Sequence, residues 1–225
     1  MESLETELKR ARALDTDELA DAIESIGFEC TRCGACCKGY TAADGDEEPH
    51  TATVFPNEIR ELGGATPEQY EWRDVARPMP YGLTETDDGE TEGETFEWAL
   101  QTDACGDCTF YEEDENGVGA CSVHENRPLI CRTYPFSVAL GGTTQPMGEA
   151  VDGEGMVRAH ECEGLGRDIS REHAEELAAA LKARAVRELE EAIGVRDNYA
   201  PVERAPGEAV VYDSEGAKRP DGAPR

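Results

Sequence analysis

Cys30-Thr31-Arg32-Cys33-Gly34-Ala35-Cys36-Cys37 is the stretch on which the fold turns. Four of its eight residues are cysteine, and the first three recur at every third position. Thiolate is a soft ligand, and a Cys-x-x-Cys loop delivers two sulfurs to one tetrahedral centre, which suits zinc or an iron–sulfur cluster. Gly34 and Ala35 are small enough to let the backbone fold round an ion. The triple spacing also matches the first three ligands of a ferredoxin-type run. Cys37 follows Cys36 directly, and adjacent residues rarely aim both side chains at one ion. We therefore expect Cys37 to serve a second metal or the edge of a cluster. The bland reading, four small buried thiols, fits so dense a cluster poorly.

The remaining cysteines are Cys105, Cys108, Cys121, Cys131 and Cys162. Taken alone, Cys105-x-x-Cys108 could be a redox pair, but no βαβ pattern surrounds it. Cys121-x-x-His124 and His160-x-Cys162 place a nitrogen beside sulfur. Because sulfur is already plentiful, both histidines read as surface or supporting residues before ligands. A Cys–His catalytic dyad lacks an oxyanion motif.

Composition narrows the setting. The 225 residues hold 50 acidic against 21 basic side chains, a net charge of −29. Such a field repels phosphate backbones, so no nucleic-acid partner is expected. No apolar run approaches the ~18 residues of a membrane span, so no membrane partner is expected either. The first residues are acidic where a secretory signal is basic and then apolar, which points to the cytoplasm, where thiols stay reduced. Counting gives 34 Glu and 16 Asp, but 4 Lys against 17 Arg, spread along the chain. That balance resembles proteins of extreme halophiles, whose acidic surface salt must screen. The rival reading is an acidic surface made for one basic partner.

Outward from the cysteine run, Leu4, Leu8 and Leu14 mark a weak helix. Leu19, Ile23 and Ile26 mark a second, capped at Asp15 or Thr16 and closed by Gly27. An acidic loop from Ala42 to Pro49 precedes a strand near Thr51–Phe55. Short helices follow at Asn57–Leu62, ended by Gly63-Gly64, and at Pro67–Ala76. Residues 84–94 read as a solvated loop, and Phe96–Leu100 as a strand. Asn116-Gly117 predicts a hairpin between Cys108 and Val123. A turn opens at Arg127-Pro128, residues 137–160 offer two more strands, and Ile169–Ile193 forms a long helix with Leu177, Leu181, Leu189 and Ile193 on one stripe. Residues 199–225 read as a disordered tail. The expected fold is α+β. A helical arm spans 1–27, a metal-binding domain of short strands and a hairpin spans 28–166, a helix spans 167–198, and the tail follows.

Within the hairpin, a two-residue loop opposes Cys121 to Glu112, and a four-residue loop opposes it to Phe110. Either register puts Cys108, Phe110, Cys121 and Val123 on one face, and Cys105 on the other if the first strand extends back that far.

Cys30-x2-Cys33-x2-Cys36-Cys37, Cys108-x-Phe110, Cys121, Arg127-Pro128-Leu129-Ile130-Cys131-Arg132-Thr133-Tyr134-Pro135-Phe136 and Cys162-x-Gly164 follow one another in an order that resembles the YkgJ family, the Cys-x-x-Cys-x-x-Cys-Cys domain. The resemblance spans about residues 28–166. It implies a zinc- or iron-chelating domain whose metal ligands are Cys30, Cys33, Cys36, Cys37, Cys108, Cys121, Cys131 and Cys162. A flagellin lysine methylase shares the domain. Many relatives have Tyr where this chain has His124, and Cys105 is extra to the pattern. Beside the thiolates, Arg127 and Arg132 are placed to offset charge and donate to sulfur, and Tyr134 and Phe136 to exclude water. Pro128 presets a turn whose free N–H groups can face sulfur.

The expected function is metal chelation by a cysteine cluster, with zinc or an iron–sulfur cluster as cofactor, the metal ion as partner and any protein partner unspecified. An iron–sulfur enzyme of redox or protein methyl-transfer type is the alternative, although no nucleotide motif supports it, and Gly164-Leu165-Gly166 is too short to be one. A metal carrier or scaffold is the third reading.

Overall fold

A computed structural model describes residues 3–41, 45–65, 70–86, 89, 91–140, 150–153 and 155–225. Among them the helices are α1 Leu4–Arg12, α2 Thr16–Ile26, α3 Pro56–Ala65, α4 Trp72–Val75, α5 Leu129–Thr133 and α6 Arg171–Asn198. The strands are β1 Tyr40–Thr41, β2 Glu47–Glu48, β3 Thr53–Val54, β4 Ala76–Pro78, β5 Leu83–Glu85, β6 Thr91–Thr95 and β7 Trp98–Leu100. There follow β8 Tyr111–Glu113, β9 Gly119–Cys121, β10 Phe136–Val138, β11 Ala150–Asp152, β12 Val157–His160, β13 Ala209–Asp213 and β14 Gly216–Lys218. The fold is α+β, and the chain divides into two compact units.

The first unit joins residues 1–35 to 129–190. Ser3 caps α1 by accepting from the Thr6 N–H at 3.3 Å. Asp15 caps α2, its carboxylate accepting from the N–H groups of Asp17 and Glu18. The apolar positions of α2, Leu19 and Ile23, are sealed from water with Phe28, Phe136, Val138, Val157 and Ala159, and with Leu177, Leu181 and Leu189 of α6. Helix periodicity therefore located this core. β10, β12 and β11 form its three-stranded antiparallel sheet.

Arg184 is buried inside this unit, at 1% exposure of its side chain. It donates to Glu188 at 2.7 Å and to the Thr133 hydroxyl at 3.1 Å. A guanidinium at that depth persists only with such partners.

The second unit joins residues 36–128 to 191–225. It contains the sheets β3-β7-β4 and β14-β13-β6-β5, together with the ribbons β1-β2 and β8-β9. Several expectations are corrected here. Residues 199–225 are not a disordered tail: Val210, Val211 and Tyr212 of β13 are fully buried. β13 runs parallel to β6 in the register Ala209↔Gly93, Val210↔Glu94, Val211↔Thr95. Residues 84–94 likewise hold parts of β5 and β6, paired Leu83↔Gly93 to Glu85↔Thr91. The acidic composition of both segments hid strands whose partners lie far away in sequence.

Smaller corrections follow the same pattern. β2 stands inside the expected acidic loop, pairing with β1, while residues 42–44 of that loop lie outside the described ones. Gly63 and Gly64 continue α3 instead of ending it. The helix expected over 67–76 is a single turn, α4, where described, and Ala76 already belongs to β4. Residues 67–69 lie outside the described ones.

Two tryptophans explain why the C-terminal segment is held. The Trp98 indole N–H donates to buried Asp213 at 2.8 Å, and Asp213 pairs with buried Lys218 at 2.8 Å. The Lys218 ammonium stands 4.8 Å from the centre of the Trp72 ring, which meets Trp98 edge-on at 5.1 Å. A cation over an indole in a dry site is a favourable contact of about 1–2 kcal/mol. Gly222 then closes over Trp72, with φ +80°, and a Cβ there would lie 2.3 Å from the ring.

Candidate metal centre

The boundary between the units falls inside the cysteine run, between Ala35 and Cys36. Four of the eight candidate ligands, Cys30, Cys33, Cys131 and Cys162, belong to the first unit. The other four, Cys36, Cys37, Cys108 and Cys121, belong to the second. All nine cysteines are free thiols.

In the second unit, Cys36 and Cys37 lie in a turn with their sulfurs 3.9 Å apart. The Cys37 contact holds the Cys36 thiol down to about 7, and the charge of Arg127 adds to the effect. A cysteine at that value is about half thiolate at neutral pH, and the thiolate is the form that binds metal. The backbone fixes Cys108 beside this turn, since its N–H donates to the Cys37 carbonyl at 2.8 Å. Burial pushes the Cys108 thiol up to about 11, and the neighbouring Cys121 and Cys36 sulfurs add to that rise. Burial likewise raises the Cys121 thiol, against which Arg127 acts. The charge of Cys36 thus bears on both Cys108 and Cys121, and that of Arg127 on Cys36 and Cys121.

Arg127 is oriented by its own backbone: its Nε–H donates to the His124 carbonyl at 3.0 Å. Arg132 is exposed, and no hydrogen bond or ion pair involves it among the described residues. His124 is exposed and faces Glu125 at 3.3 Å, in keeping with a surface residue. His160, in contrast, is buried in the first unit against the Ser137 hydroxyl at 2.8 Å. It is a core residue and not a surface one.

The hairpin differs from both expected registers. Tyr111 opposes Cys121, and Glu113 opposes Gly119. The cause is Asp114, whose carboxylate accepts from the N–H groups of Asn116 at 2.8 Å and Val118 at 2.9 Å. It organises a loop over residues 114–118, so the turn is one residue out of step with a turn centred on Asn116-Gly117. A slip of one residue reverses the faces. Cys108 moreover precedes the strand. Cys121 still bears on Cys108, since its charge adds to the rise of the Cys108 thiol. Cys105 is exposed in a loop pinned by Asp103, whose carboxylate accepts from the N–H groups of Cys105 and Asp107.

In the first unit, Phe28 bridges to Leu165, and the Glu29 N–H donates to the Gly164 carbonyl at 3.0 Å. This lays the strand leading to Cys30 along the Cys162 loop. The approach requires Gly164, because a Cβ would stand 2.3 Å from the Glu29 carbonyl oxygen. The Gly164 N–H in turn points at the Cys162 sulfur, 3.4 Å away. Such a bond favours the thiolate form. Cys131 rides on α5, and Tyr134 at the end of that segment donates to the Glu161 carbonyl, next to Cys162. Phe136 stacks edge-on with Phe28 at 5.7 Å and closes the core behind these residues.

Among the described residues, no three His, Cys, Asp or Glu side chains are gathered closely enough to hold a metal ion as they stand. The donor chemistry nonetheless fits zinc or iron: soft sulfurs, one already near neutrality, an N–H aimed at another, and an arginine beside two.

No curated protein and no solved structure matches the chain. The CxxCxxCC family, described as "Putative zinc- or iron-chelating domain", matches residues 29–163. Its span takes in all nine cysteines, from Cys30 to Cys162 with Cys105 among them, and it ends beside the Gly164 that the Cys162 loop requires. The chain therefore belongs to the CxxCxxCC, or YkgJ, family of cysteine-cluster proteins.

Proposed function

We propose that this protein binds metal at two cysteine centres, one in each compact unit. Cys36, Cys37, Cys108 and Cys121 would hold one, and Cys30, Cys33, Cys131 and Cys162 the other. The observation that carries this reading is the partition of the ligands, four to a unit, with Cys36 electrostatically tied to Cys108 and Cys121. Arg127 offsets thiolate charge at one centre, and the Gly164 N–H supports a thiolate at the other. Arg132, next to Cys131 in sequence, would add positive charge there.

A metal bound by four thiolates supplies a cross-link between segments far apart in sequence, or a redox-active cluster if the metal is iron with sulfide. In either case the chain's own residues favour the thiolate at Cys36, through Cys37 and Arg127, and at Cys162, through the Gly164 N–H. The reading places the protein in the cytoplasm, where thiols remain available to metal. No helix among the described residues is long and apolar enough to cross a membrane. The acidic surface reads as an adaptation to salt, its carboxylates well exposed, as Asp17 at 84% and Glu125 at 93% illustrate.

Anaerobic purification followed by metal and sulfide analysis and a visible absorption spectrum tests the proposal. A brown protein with iron and sulfide in equal amount, or a colourless one with zinc, supports it. A protein that retains neither metal under those conditions contradicts it.

A further inference from the structure

A cavity of about 360 Å³ opens in the second unit, lined by residues of β4, β6 and β13, the residue after β7 and the C-terminal segment. Four of its twelve lining residues are arginines: Arg73, Arg77, Arg219 and Arg225. The chain has only 17 arginines and more than twice as many acidic as basic residues, so this is a local reversal of its field.

Two of those charges are compensated from within. Arg225 pairs with Glu208 at 2.6 Å, and Arg73 faces Asp221 at 3.7 Å. Arg77 and Arg219 have no ion pair among the described residues. Arg77 is half-buried and donates only to neutral groups, the His50 carbonyl at 3.0 Å and the Thr51 hydroxyl at 3.4 Å. Its Nε–H is buried without an acceptor. Arg219 donates only to the Pro224 carbonyl, at 3.5 Å. Arg219 lies within electrostatic reach of Glu208, which also lines the cleft and already pairs with Arg225. The four arginines against Glu208 and Asp221 thus leave a balance of two positive charges, with Arg77 held in place by neutral hydrogen bonds.

A dianion matches that charge. Guanidinium forks recognise phosphate and carboxylate oxygens in pairs. The cavity, at the lower end of small-molecule sites, has more room than inorganic phosphate fills. Ala76, Pro78 and Ala209 give its wall an apolar portion. We propose that this cleft binds a small phosphate ester, its phosphate between Arg77 and Arg219 and its carbon part against that apolar wall. The site does not depend on the cysteine centres.

Calorimetric titration of the metal-loaded, full-length protein tests this, using glycerol 3-phosphate, inorganic phosphate and succinate at one fixed KCl concentration. Glycerol 3-phosphate should bind more tightly than either of the others. Arg77→Gln and Arg219→Gln should each weaken it about tenfold or more, the effect of losing one charge-assisted hydrogen bond. Arg60→Gln, outside the cleft, should leave it unchanged. Should Arg77→Gln fail to fold, exposed Arg219 alone decides. No binding of the ester, equal binding in the Arg219 variant, or succinate binding as tightly as the ester would each overturn the proposal.

Discussion

The sulfurs of Cys36 and Cys37 stand 3.9 Å apart on consecutive residues, and that contact is the main reason the Cys36 thiol falls to about 7. Below that pH the proton stays on Cys36, and above it the thiolate dominates. In metal-free protein, alkylation by iodoacetamide followed residue by residue should therefore show Cys36 half-reactive near neutrality. Cys108, pushed to about 11 by burial, should react last. Arg127→Gln should move the Cys36 midpoint upwards, because a positive charge that favours the thiolate is lost. An unmoved midpoint would remove Arg127 from the centre.

Cys105 and Cys108 share a Cys-x-x-Cys spacing but not a role. Cys105 is exposed, whereas Cys108 is buried and tied to Cys37. Cys105→Ser should keep the full metal content, and Cys108→Ser or Cys121→Ser should lose metal, as measured by elemental analysis of the purified variants. Equal loss from Cys105→Ser would make Cys105-x-x-Cys108 itself a ligand loop.

How much of this was legible depended on the distance between partners. The α2 stripe of Leu19 and Ile23 and the α6 stripe of Leu177 and Leu181 announced the first core, because helix periodicity is local. The cysteine run from Cys30 to Cys37 stood out by its spacing, whereas the wider set of eight came from the resemblance to the family. The parallel pairing of β13 with β6 was not, since Val210 gains its meaning from Glu94, more than a hundred residues earlier. The run Ala209-Val210-Val211-Tyr212 was a strand signal, outweighed by the Pro, Gly and charge around it. The hairpin register failed on Asp114, whose side chain competes with the backbone to set the turn. The arginine cleft was invisible because Arg77 and Arg219 meet only in the fold.

Gly222 lies over Trp72 with positive φ, where an added Cβ would strike the ring. Gly222→Ala should destabilise the second unit by about 2–4 kcal/mol, combining a left-handed backbone with overpacking. Urea unfolding followed by tryptophan fluorescence reports on this unit, since Trp72 and Trp98 are the chain's two tryptophans and both lie in it. An unchanged midpoint would mean that the C-terminal segment does not contribute to that core.

Self-repulsion at a net charge of −29 should weaken the compact state at low ionic strength, where the Debye length reaches ~30 Å at 0.01 M. The thermal midpoint should climb steeply between millimolar and molar KCl. A flat response would speak for a basic partner in place of salt adaptation.

The most direct test of the two-centre account is the metal content of Cys33→Ser, Cys108→Ser and the double variant, measured with sulfide on anaerobically purified protein. The account predicts that each single variant loses one share of the metal and keeps the other, and that the double variant holds none. Loss of all metal from either single variant would mean one shared centre and contradict it.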